Sequence, residues 1–331
     1  MELKVNLKEN SYSIIIGNDL LRDFNKYYSL DSKVLIISDD NIPSIYYETI
    51  LSKCNEGYKY IINHGEKSKN IDNYLAINTF LLENNFSRDD LIIALGGGVV
   101  GDLSAFIAST YKRGINFINI PTSTLAMIDS SVGGKTGIDF NGVKNVLGSF
   151  YQPKLVLIDL DTLKTLDERN YNNGLVEALK MGLIKDSSIL ELFNNPKDNI
   201  KEIIIKSLRS KIEVIELDEK ENNIRKILNF GHTFGHAYEM LDSSLLHGEA
   251  VARGMLTVLE GNIKDKVETI VKGLNISFEY DMNIEEVIKL IKNDKKATSD
   301  YLDLILVKEV GSAIIERIEI NELRKLLKEE K

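Results

Sequence analysis

The sequence predicts an α/β N-terminal domain with a Rossmann-like, doubly wound sheet, followed by a mainly α-helical C-terminal domain. In the first half of the chain, five short apolar runs alternate with helical patterns, and most of these runs are apolar on both faces. Strands of that kind are typical of a parallel sheet that helices cover on both sides. The runs are residues 34–37, 58–62, 91–95, 115–120 and 155–158.

The second half is predicted to be mainly helical because its apolar residues recur with the spacing of amphipathic helices. The amphipathic patterns cover 171–184, Ile200–Leu217 and 284–291, and a single late β-like run covers 302–307. The change of pattern predicts a domain boundary near residue 160. The two predicted domains are therefore residues 1–160 and 161–331.

Charge and composition exclude several classes of function. The 331-residue chain carries a net charge of −9, which disfavours binding to nucleic acid or to anionic membranes. An anionic substrate therefore needs a local cluster of lysines and arginines. The single cysteine, Cys54, cannot form an internal disulfide, and residues 1–17 lack a basic segment followed by an apolar one. We therefore expect a cytoplasmic protein.

A glycine-rich turn, GGGVVGD at residues 96–102, follows the apolar run 91–95 and opens a helical pattern. Glycines at a strand-to-helix turn let a phosphate approach the first N–H groups of the helix, so we expect a dinucleotide pyrophosphate here. The spacing departs from the GxGxxG fingerprint, which indicates a variant of the Rossmann fold, and a tight structural turn is the alternative. Polar residues at 38–41 and 63–66 are expected to hold ribose hydroxyls.

Three of the four histidines lie in one short stretch, at His232, His236 and His247. His232 and His236 are four residues apart and share a face if the segment is helical, so two imidazoles and a further ligand would suit a catalytic zinc. A single core histidine more often packs and hydrogen-bonds, but three clustered in a histidine-poor chain favour function. Spacing alone leaves the carboxylate ligand open between Glu177, Glu239 and Glu249.

Residues 121–145 combine small hydroxyl residues, glycines and spaced lysines, which together predict an anion-binding surface for phosphate or carboxylate. The segment is expected to be a long loop. Its Gly-Gly-Lys-Thr resembles part of a P-loop, but the earlier glycine of that motif is missing, so nucleoside triphosphate binding is rejected. A flexible surface loop is the alternative interpretation.

These segments together resemble the dehydroquinate synthase family along nearly the whole chain. The blocks that carry the resemblance are residues 96–102, 111–114, 121–137, 144–145, 177–180, 229–236 and 247–250. The resemblance implies a dehydroquinate synthase-like fold, with an NAD-binding α/β domain and a helical domain that binds metal and substrate. It also implies a homodimer, because Arg113 would reach the active site of a neighbouring subunit.

The resemblance further implies a role for individual residues. The metal ligands would be Glu177, His232 and His247, holding Zn²⁺ or Co²⁺. The substrate would be bound by Arg113, Asp129, Lys135, Asn145, Lys180, Lys211, Arg225, Asn229 and His236, with Lys295 or Lys296 joining them. The catalytic residues would be His236, Lys135, Lys180, Arg225 and Asn229. The NAD site would comprise Asp39, Asn41, Glu66, Lys69, Gly97, Gly98, Val99, Gly101, Asp102, Thr122, Ser123, Asp129, Lys135, Lys144, Thr162 and Thr165.

The implied reaction converts 3-deoxy-D-arabino-heptulosonate 7-phosphate into 3-dehydroquinate and phosphate, a carbon–oxygen lyase step of the shikimate pathway that leads to aromatic amino acids. Transient oxidation by NAD makes a neighbouring C–H bond acidic enough for phosphate elimination, and reduction and an intramolecular aldol closure follow. The alternatives are another sugar phosphate cyclase, of the 2-deoxy-scyllo-inosose or valiolone type, a metal-dependent polyol dehydrogenase, or a non-catalytic NAD-binding scaffold. The cationic cluster is expected to matter more to catalysis than to folding.

Overall fold

The chain divides into two compact units, Met1–Asp167 and Glu168–Lys331. The computed structural model describes residues 1–278, 283–294 and 301–328. Lys295 and Lys296, for which the sequence predicted a substrate contact, lie outside the described residues.

The division between the units falls later than the predicted residue 160. A short 3₁₀ segment, Leu160–Thr165, follows the last strand of the sheet and is bonded to the first unit. Asp161 accepts hydrogen bonds from the Asn18 side chain at 3.0 Å and from the Asp19 backbone N–H at 2.9 Å. Thr165 Oγ1 lies 3.0 Å from the Tyr46 hydroxyl. These contacts keep the segment with the N-terminal unit, and composition alone gives no sign of them.

The first unit is built on a seven-stranded sheet, whose strands are β1 Glu2–Val5, β2 Tyr12–Gly17, β3 Lys33–Asp39, β4 Glu56–Ile62, β5 Leu91–Gly96, β6 Asn116–Pro121 and β9 Leu155–Asp159. Their order in the sheet is β1-β2-β9-β6-β5-β3-β4. Its helices are α1 Ser44–Leu51, α2 Ile71–Glu83 and α3 Gly98–Thr110. Neighbouring strands are parallel except β1, which pairs antiparallel with β2 at one edge. Four of the five predicted runs lie within strands of this sheet, and the run 115–120 begins one residue before β6, so the predicted α/β class is confirmed.

The central strands of the sheet are buried on both faces, as a doubly wound fold requires. In β3, Leu35 and Ile37 pack into the apolar cluster that contains residues of α2 and α3. Val34 and Ile36 of the same strand pack into a second cluster on the other face, which includes Ile50 of α1. The alternation of one strand between two cores explains why its sequence shows no polar face.

Residues 121–145 were expected to form a long loop, and this prediction is wrong. The segment contains a π-helical turn, Ala126–Ser130, and leads into an antiparallel hairpin of β7 Lys135–Phe140 and β8 Val143–Phe150. Asn141 and Gly142 connect the two strands, with φ of 50° and 78°. Asn-Gly with two positive φ values is the preferred two-residue hairpin turn, so the sequence did contain a signal for this element.

The second unit is mainly helical, as predicted. Its helices are α4 Glu168–Ile184, α5 Ile189–Leu192, α6 Ile200–Leu217, α7 His232–Leu241, α8 His247–Val258, α9 Gly261–Gly273, α10 Ile284–Asp294 and α11 Leu323–Lys328. The predicted β-like run lies in β10 Tyr301–Glu309, which pairs antiparallel with β11 Ser312–Glu319. The sequence did not predict β11, because most of its residues are exposed and it lacks a regular apolar alternation.

Helix α4 is the buried centre of the second unit. Every residue from Asn172 to Ile184 is buried, including Asn173, Glu177 and Lys180. Polar side chains in such a position destabilise a fold unless they are paired or hydrogen-bonded. The groups that contact these three side chains therefore show which part of the second unit α4 holds in place.

Among the residues that the structure describes, no helix combines the length and the apolar character that crossing a bilayer needs.

Candidate functional site

Helix α4 buries a carboxylate, Glu177, and an ammonium group, Lys180, one helical turn apart. Glu177 is 0% exposed and Lys180 is 1% exposed. The Lys180 ammonium lies 2.5 Å from Glu177 Oε2 and donates a hydrogen bond to the Leu228 carbonyl at 2.7 Å. The lysine therefore compensates the carboxylate in a place where an isolated charge would be costly.

Two histidines face the same carboxylate. His232 is the first residue of α7 and His247 is the first residue of α8. Their Nε2 atoms lie 3.7 Å and 3.5 Å from Glu177 Oε1. One ligand atom of each of the three residues lies within 4.8 Å of the others, which is the spacing of a metal-ligand triad.

The Nδ1 atom of each imidazole lies near a hydrogen-bond acceptor. His232 Nδ1 lies 3.1 Å from the Phe230 carbonyl, and His247 Nδ1 lies 3.6 Å from Glu239 Oε2. An acceptor at Nδ1 favours the tautomer with its lone pair on Nε2, the arrangement typical of metal-ligating histidines. In the neutral form of each imidazole, the nitrogen that lies near Glu177 then carries the lone pair.

The donor set fits a divalent cation. Neither oxygen of Glu177 accepts a hydrogen bond of good geometry from the part of the chain that the structure describes. A fully buried carboxylate in that state, with two imidazole nitrogens beside it, matches the ligands of catalytic Zn²⁺ or Co²⁺ sites. Three protein ligands leave a position for substrate.

Local charges set the protonation of the triad. Burial raises the pKa of Glu177, but Lys180 and the two histidines outweigh it and hold that pKa well below its usual value. Burial and the Lys180 charge lower the pKa of His232. Burial also opposes protonation of His247, but Glu177 and Glu239 raise its pKa to about 9. Glu177 as an anion and His232 as a neutral base are the forms that bind metals.

The geometry distinguishes the three carboxylates that spacing left open. Glu249 is held in a two-point ion pair by Arg169, at 2.7 Å and 2.8 Å. Glu239 lies behind His247 rather than between the histidines. Only Glu177 of the three faces both His232 and His247.

His236 lies beside the triad without belonging to it. Its ring centroid is 5.4 Å from that of His232 and 6.2 Å from that of His247. Their four-residue spacing predicted that His232 and His236 share one face of a helix and could bind a metal together. The structure instead combines His232 with a histidine from the next helix, and it leaves His236 next to the triad.

Main-chain contacts fix α7 against α8. Gly231 has φ of 78° and precedes His232. A Cβ placed on Gly254 would lie 2.0 Å from the Gly231 carbonyl oxygen, closer than any real side chain is found. The backbones of the two histidine-bearing helices therefore touch directly.

Several predicted substrate residues of this unit are buried, or they donate hydrogen bonds to the segment 219–221. Lys211 and Arg225 are 5% and 2% exposed. The Arg225 guanidinium donates to the Glu219 carbonyl, and the Asn229 side chain donates to Glu221 Oε1 at 2.5 Å. Asn229 also lines a cavity of about 520 Å³, together with Glu221, Lys226, Thr233, Tyr301, Leu302, Asp303, Ile305 and Arg317.

In the first unit, the glycine-rich turn connects β5 to α3 as the sequence predicted. Gly97 precedes the helix and Gly98 begins it. A Cβ on Gly98 would lie 3.2 Å from Ser130 Oγ, so the glycine lets Ser130 lie close to the helix start. The first N–H groups of α3 are donors of the kind that bind a pyrophosphate.

Most of the predicted NAD residues lie at the carboxyl edge of the sheet or next to it. Asn41, Thr122, Thr162 and Thr165 line one cleft. Asp39 ends β3, and burial raises the pKa of its carboxyl. The predicted residues at the glycine-rich turn and at the end of β6 are Gly97, Gly98, Val99, Gly101, Asp102, Thr122 and Ser123. Carboxyl ends of parallel strands are where ligands bind in open α/β sheets.

Lys69 connects two of these residues. It is 4% exposed, and its ammonium lies 2.7 Å from Asp102 and 3.6 Å from Glu66. Lys69 therefore joins the segment after β4 to the N-terminal part of α3. Of the remaining predicted NAD residues, Asp129 lies on the π-helical turn, and Lys135 and Lys144 lie exposed on the hairpin. Asn145, predicted for substrate, is exposed on the same hairpin.

The first unit has a glycine-rich turn of the kind that binds phosphate, and the second unit has a triad of two histidines and a carboxylate. The two features together define a class of protein that combines a nucleotide-binding fold with a candidate metal centre. Family models match residues 59–173 as "3-dehydroquinate synthase N-terminal" and residues 174–297 as "3-dehydroquinate synthase C-terminal". The chain belongs to the 3-dehydroquinate synthase family.

Individual relatives agree with the family models. The 3-dehydroquinate synthase of Clostridium acetobutylicum is 41% identical, over 98% of this chain and 99% of its own. That of Dictyoglomus thermophilum is 42% identical, over 99% and 98%. Among solved structures, the 2-epi-5-epi-valiolone synthase of Streptomyces hygroscopicus with NAD⁺ and Zn²⁺ bound is 26% identical, with a TM-score of 0.88 over 98% of both chains.

Proposed function

We propose that the chain catalyses the 3-dehydroquinate synthase reaction, converting 3-deoxy-D-arabino-heptulosonate 7-phosphate into 3-dehydroquinate and phosphate. The observation that carries the proposal is the buried triad of Glu177, His232 and His247 with Lys180 beside it, in a chain of this family. The relatives named 3-dehydroquinate synthase are 41% and 42% identical over nearly full length, whereas the valiolone synthase is 26% identical. This difference favours dehydroquinate over other cyclic products.

We propose NAD as the cofactor of the first unit and Zn²⁺ or Co²⁺ as the ion held by the triad. When bound, NAD⁺ accepts a hydride and returns it later, and the cation makes the adjacent hydroxyl more acidic. The valiolone synthase structure with NAD⁺ and Zn²⁺ supports this choice.

We also propose that the protein works in the cytoplasm. The chain has a single cysteine, Cys54, which is partly buried, and burial raises the pKa of its thiol to about 11. A lone, unreactive thiol suits a reducing compartment.

The protein's own residues bind and orient the anionic substrate. In a chain of net charge −9, Lys180, Lys211 and Arg225 are cations that the second unit keeps buried. We assign them, with Asn229, to the phosphate and carboxylate of the substrate. Holding both ends of a flexible seven-carbon chain favours the intramolecular aldol closure. His236, next to the triad, is assigned as the proton relay.

The proposed reaction uses the cofactor without consuming it. We expect purified protein with the heptulosonate phosphate to release phosphate and form the carbocycle with NAD⁺ at far below the substrate concentration. Absorbance from NADH should not rise steadily, because each hydride is returned. Phosphate release, product analysis and absorbance, followed together, check this. Stoichiometric NADH would instead assign the chain to the polyol dehydrogenases.

We also propose a homodimer in which Arg113 serves the active site of the neighbouring subunit. Lys112 and Arg113 both have positive φ, 47° and 66°, and non-glycine residues in this region are strained. The Lys112 ammonium donates to the Phe86 carbonyl at 2.6 Å and anchors the strained turn. Arg113 is exposed, which suits a side chain that reaches another molecule.

Subunit mixing tests this role. Arg113→Ala and His232→Ala homodimers should each be nearly inactive, because one lacks the arginine and the other lacks a metal ligand. Mixed dimers should regain one complete site, so refolding an equimolar mixture should restore about a quarter of wild-type activity if subunits pair at random in a twofold dimer. Size-exclusion chromatography checks that both variants remain dimeric. A mixture without recovered activity would place Arg113 outside the neighbouring site.

A further inference from the structure

We propose that Asn173 is a positioning residue for the metal centre, which fixes the first turn of α8 and thereby places His247 against Glu177. This inference rests on the proposed function, since it concerns the same triad. Nothing in the sequence predicted it.

The first step concerns the N-terminus of α8. The first N–H groups of a helix have no partner within the helix, and a polar side chain at the preceding residue usually accepts from them. In α8 the preceding residue is Leu246, whose side chain has no acceptor. Asn173 of α4 takes that place, since its Oδ1 accepts from Gly248 N at 2.6 Å and from Glu249 N at 3.3 Å. The cap of α8 is therefore supplied by another helix.

The second step concerns which residues this contact connects. Asn173 and Glu177 are four residues apart on α4 and so lie on the same face, one turn apart. Gly248 directly follows His247. The contact between Asn173 and Gly248 thus joins the neighbours of two metal ligands. It determines how close the first turn of α8 lies to the carboxylate.

A close main-chain approach brings the Gly248 amide within reach of the Asn173 side chain. A Cβ placed on Gly248 would lie 2.0 Å from the Asn173 carbonyl oxygen and 2.8 Å from its Oδ1. Only glycine leaves room for the backbone of α8 to rest on α4 here. Asn173 is 4% exposed, so water cannot readily replace its side chain as the acceptor for Gly248 N.

Metal binding to variants of the apo protein tests the role without relying on catalysis. The measurements are the dissociation constant for Co²⁺, by chelator competition, and the visible absorption of bound Co²⁺, which reports ligand geometry. For Asn173→Ala we expect a dissociation constant about 10–100-fold higher and an altered spectrum, as is typical when a group that orients a ligand is removed. Asn173→Asp keeps an acceptor oxygen in place and should recover the wild-type spectrum.

A matched control separates positioning from a general loss of stability. Asn70 caps α2 in the first unit through Oδ1, which accepts from Asn73 N at 2.9 Å. Asn70→Ala therefore removes a helix cap of the same chemistry, and it should leave both the Co²⁺ affinity and the spectrum unchanged. Circular dichroism checks that every variant is folded. If Asn173→Ala does not fold, Asn173→Ser, with its shorter side chain, should show an intermediate loss of affinity.

Three outcomes would overturn the inference. Wild-type affinity and spectrum in Asn173→Ala, or in Asn173→Ser if that variant is the one measured, would mean that α8 is positioned without this contact. A loss in Asn173→Asp as large as in Asn173→Ala would mean that the acceptor oxygen is not the cause. A wild-type protein that binds no Co²⁺ would reject the metal centre itself, and with it the proposed function.

Discussion

His232→Ala and His247→Ala are expected to lose the bound metal almost completely, whereas His236→Ala keeps it. The Nε2 atoms of His232 and His247 lie 3.7 Å and 3.5 Å from the Glu177 carboxylate, and His236 lies outside that group. Removing one of three protein ligands leaves too few donors for a stable catalytic zinc site. Metal analysis of protein purified with added Zn²⁺ gives about one ion per chain for wild type if the assignment is right.

The His236→Ala variant is the matched control, because it removes the same side chain from the same helix. It should hold metal yet lose activity, as expected for a proton relay on the substrate. If His236→Ala loses the metal while His232→Ala retains it, the ligand assignment is wrong.

Replacing Lys180 with Met is expected to reduce both stability and catalysis. The sequence predicted that the cationic cluster matters more to catalysis than to folding, but Lys180 lies 2.5 Å from Glu177 in a fully buried position. Removing one partner of a buried ion pair costs about 3–5 kcal/mol because the other charge stays uncompensated. A lost charge-assisted contact to substrate of about 1.5–3 kcal/mol should also lower kcat/KM at least about tenfold. Urea denaturation in chelator and steady-state kinetics measure the two effects.

Two further measurements isolate the ion pair. Combining Lys180→Met with Glu177→Gln removes the uncompensated charge and should recover much of the lost free energy of unfolding. Adding Zn²⁺ to Lys180→Met should stabilise it more than it stabilises wild type, since a cation then faces the unpaired carboxylate. A Lys180→Met protein as stable as wild type in chelator would show that the lysine does not compensate Glu177.

Elements with strong periodicity were predicted well from the sequence. The pattern Ile200–Leu217 coincides with α6, and the run 91–95 lies in β5, directly before the glycine-rich turn. Amphipathic spacing and a continuous apolar strand are local properties, so a single sequence contains them. The hairpin after residue 134 was missed although Asn141-Gly142 indicated it, because the glycines and lysines around it were interpreted as a loop.

The candidate site was predictable only in part, because its geometry depends on distant segments. The histidine cluster was visible locally, but spacing did not distinguish Glu177 from Glu239 or Glu249. That choice depends on how α4 packs against α7 and α8. Asn173 had no sequence signal at all, since its hydrogen bonds run to backbone N–H groups 75 and 76 residues further along the chain.

The direct contact between Gly254 and the Gly231 carbonyl affects which amino-acid substitutions this part of the protein can accept. Because main-chain atoms rather than side chains meet there, the backbone alone sets the spacing of the two histidine-bearing helices at this point. A larger residue at position 254 would push the helices apart. Substitutions that keep this glycine can change other side chains on the two helices without removing the contact.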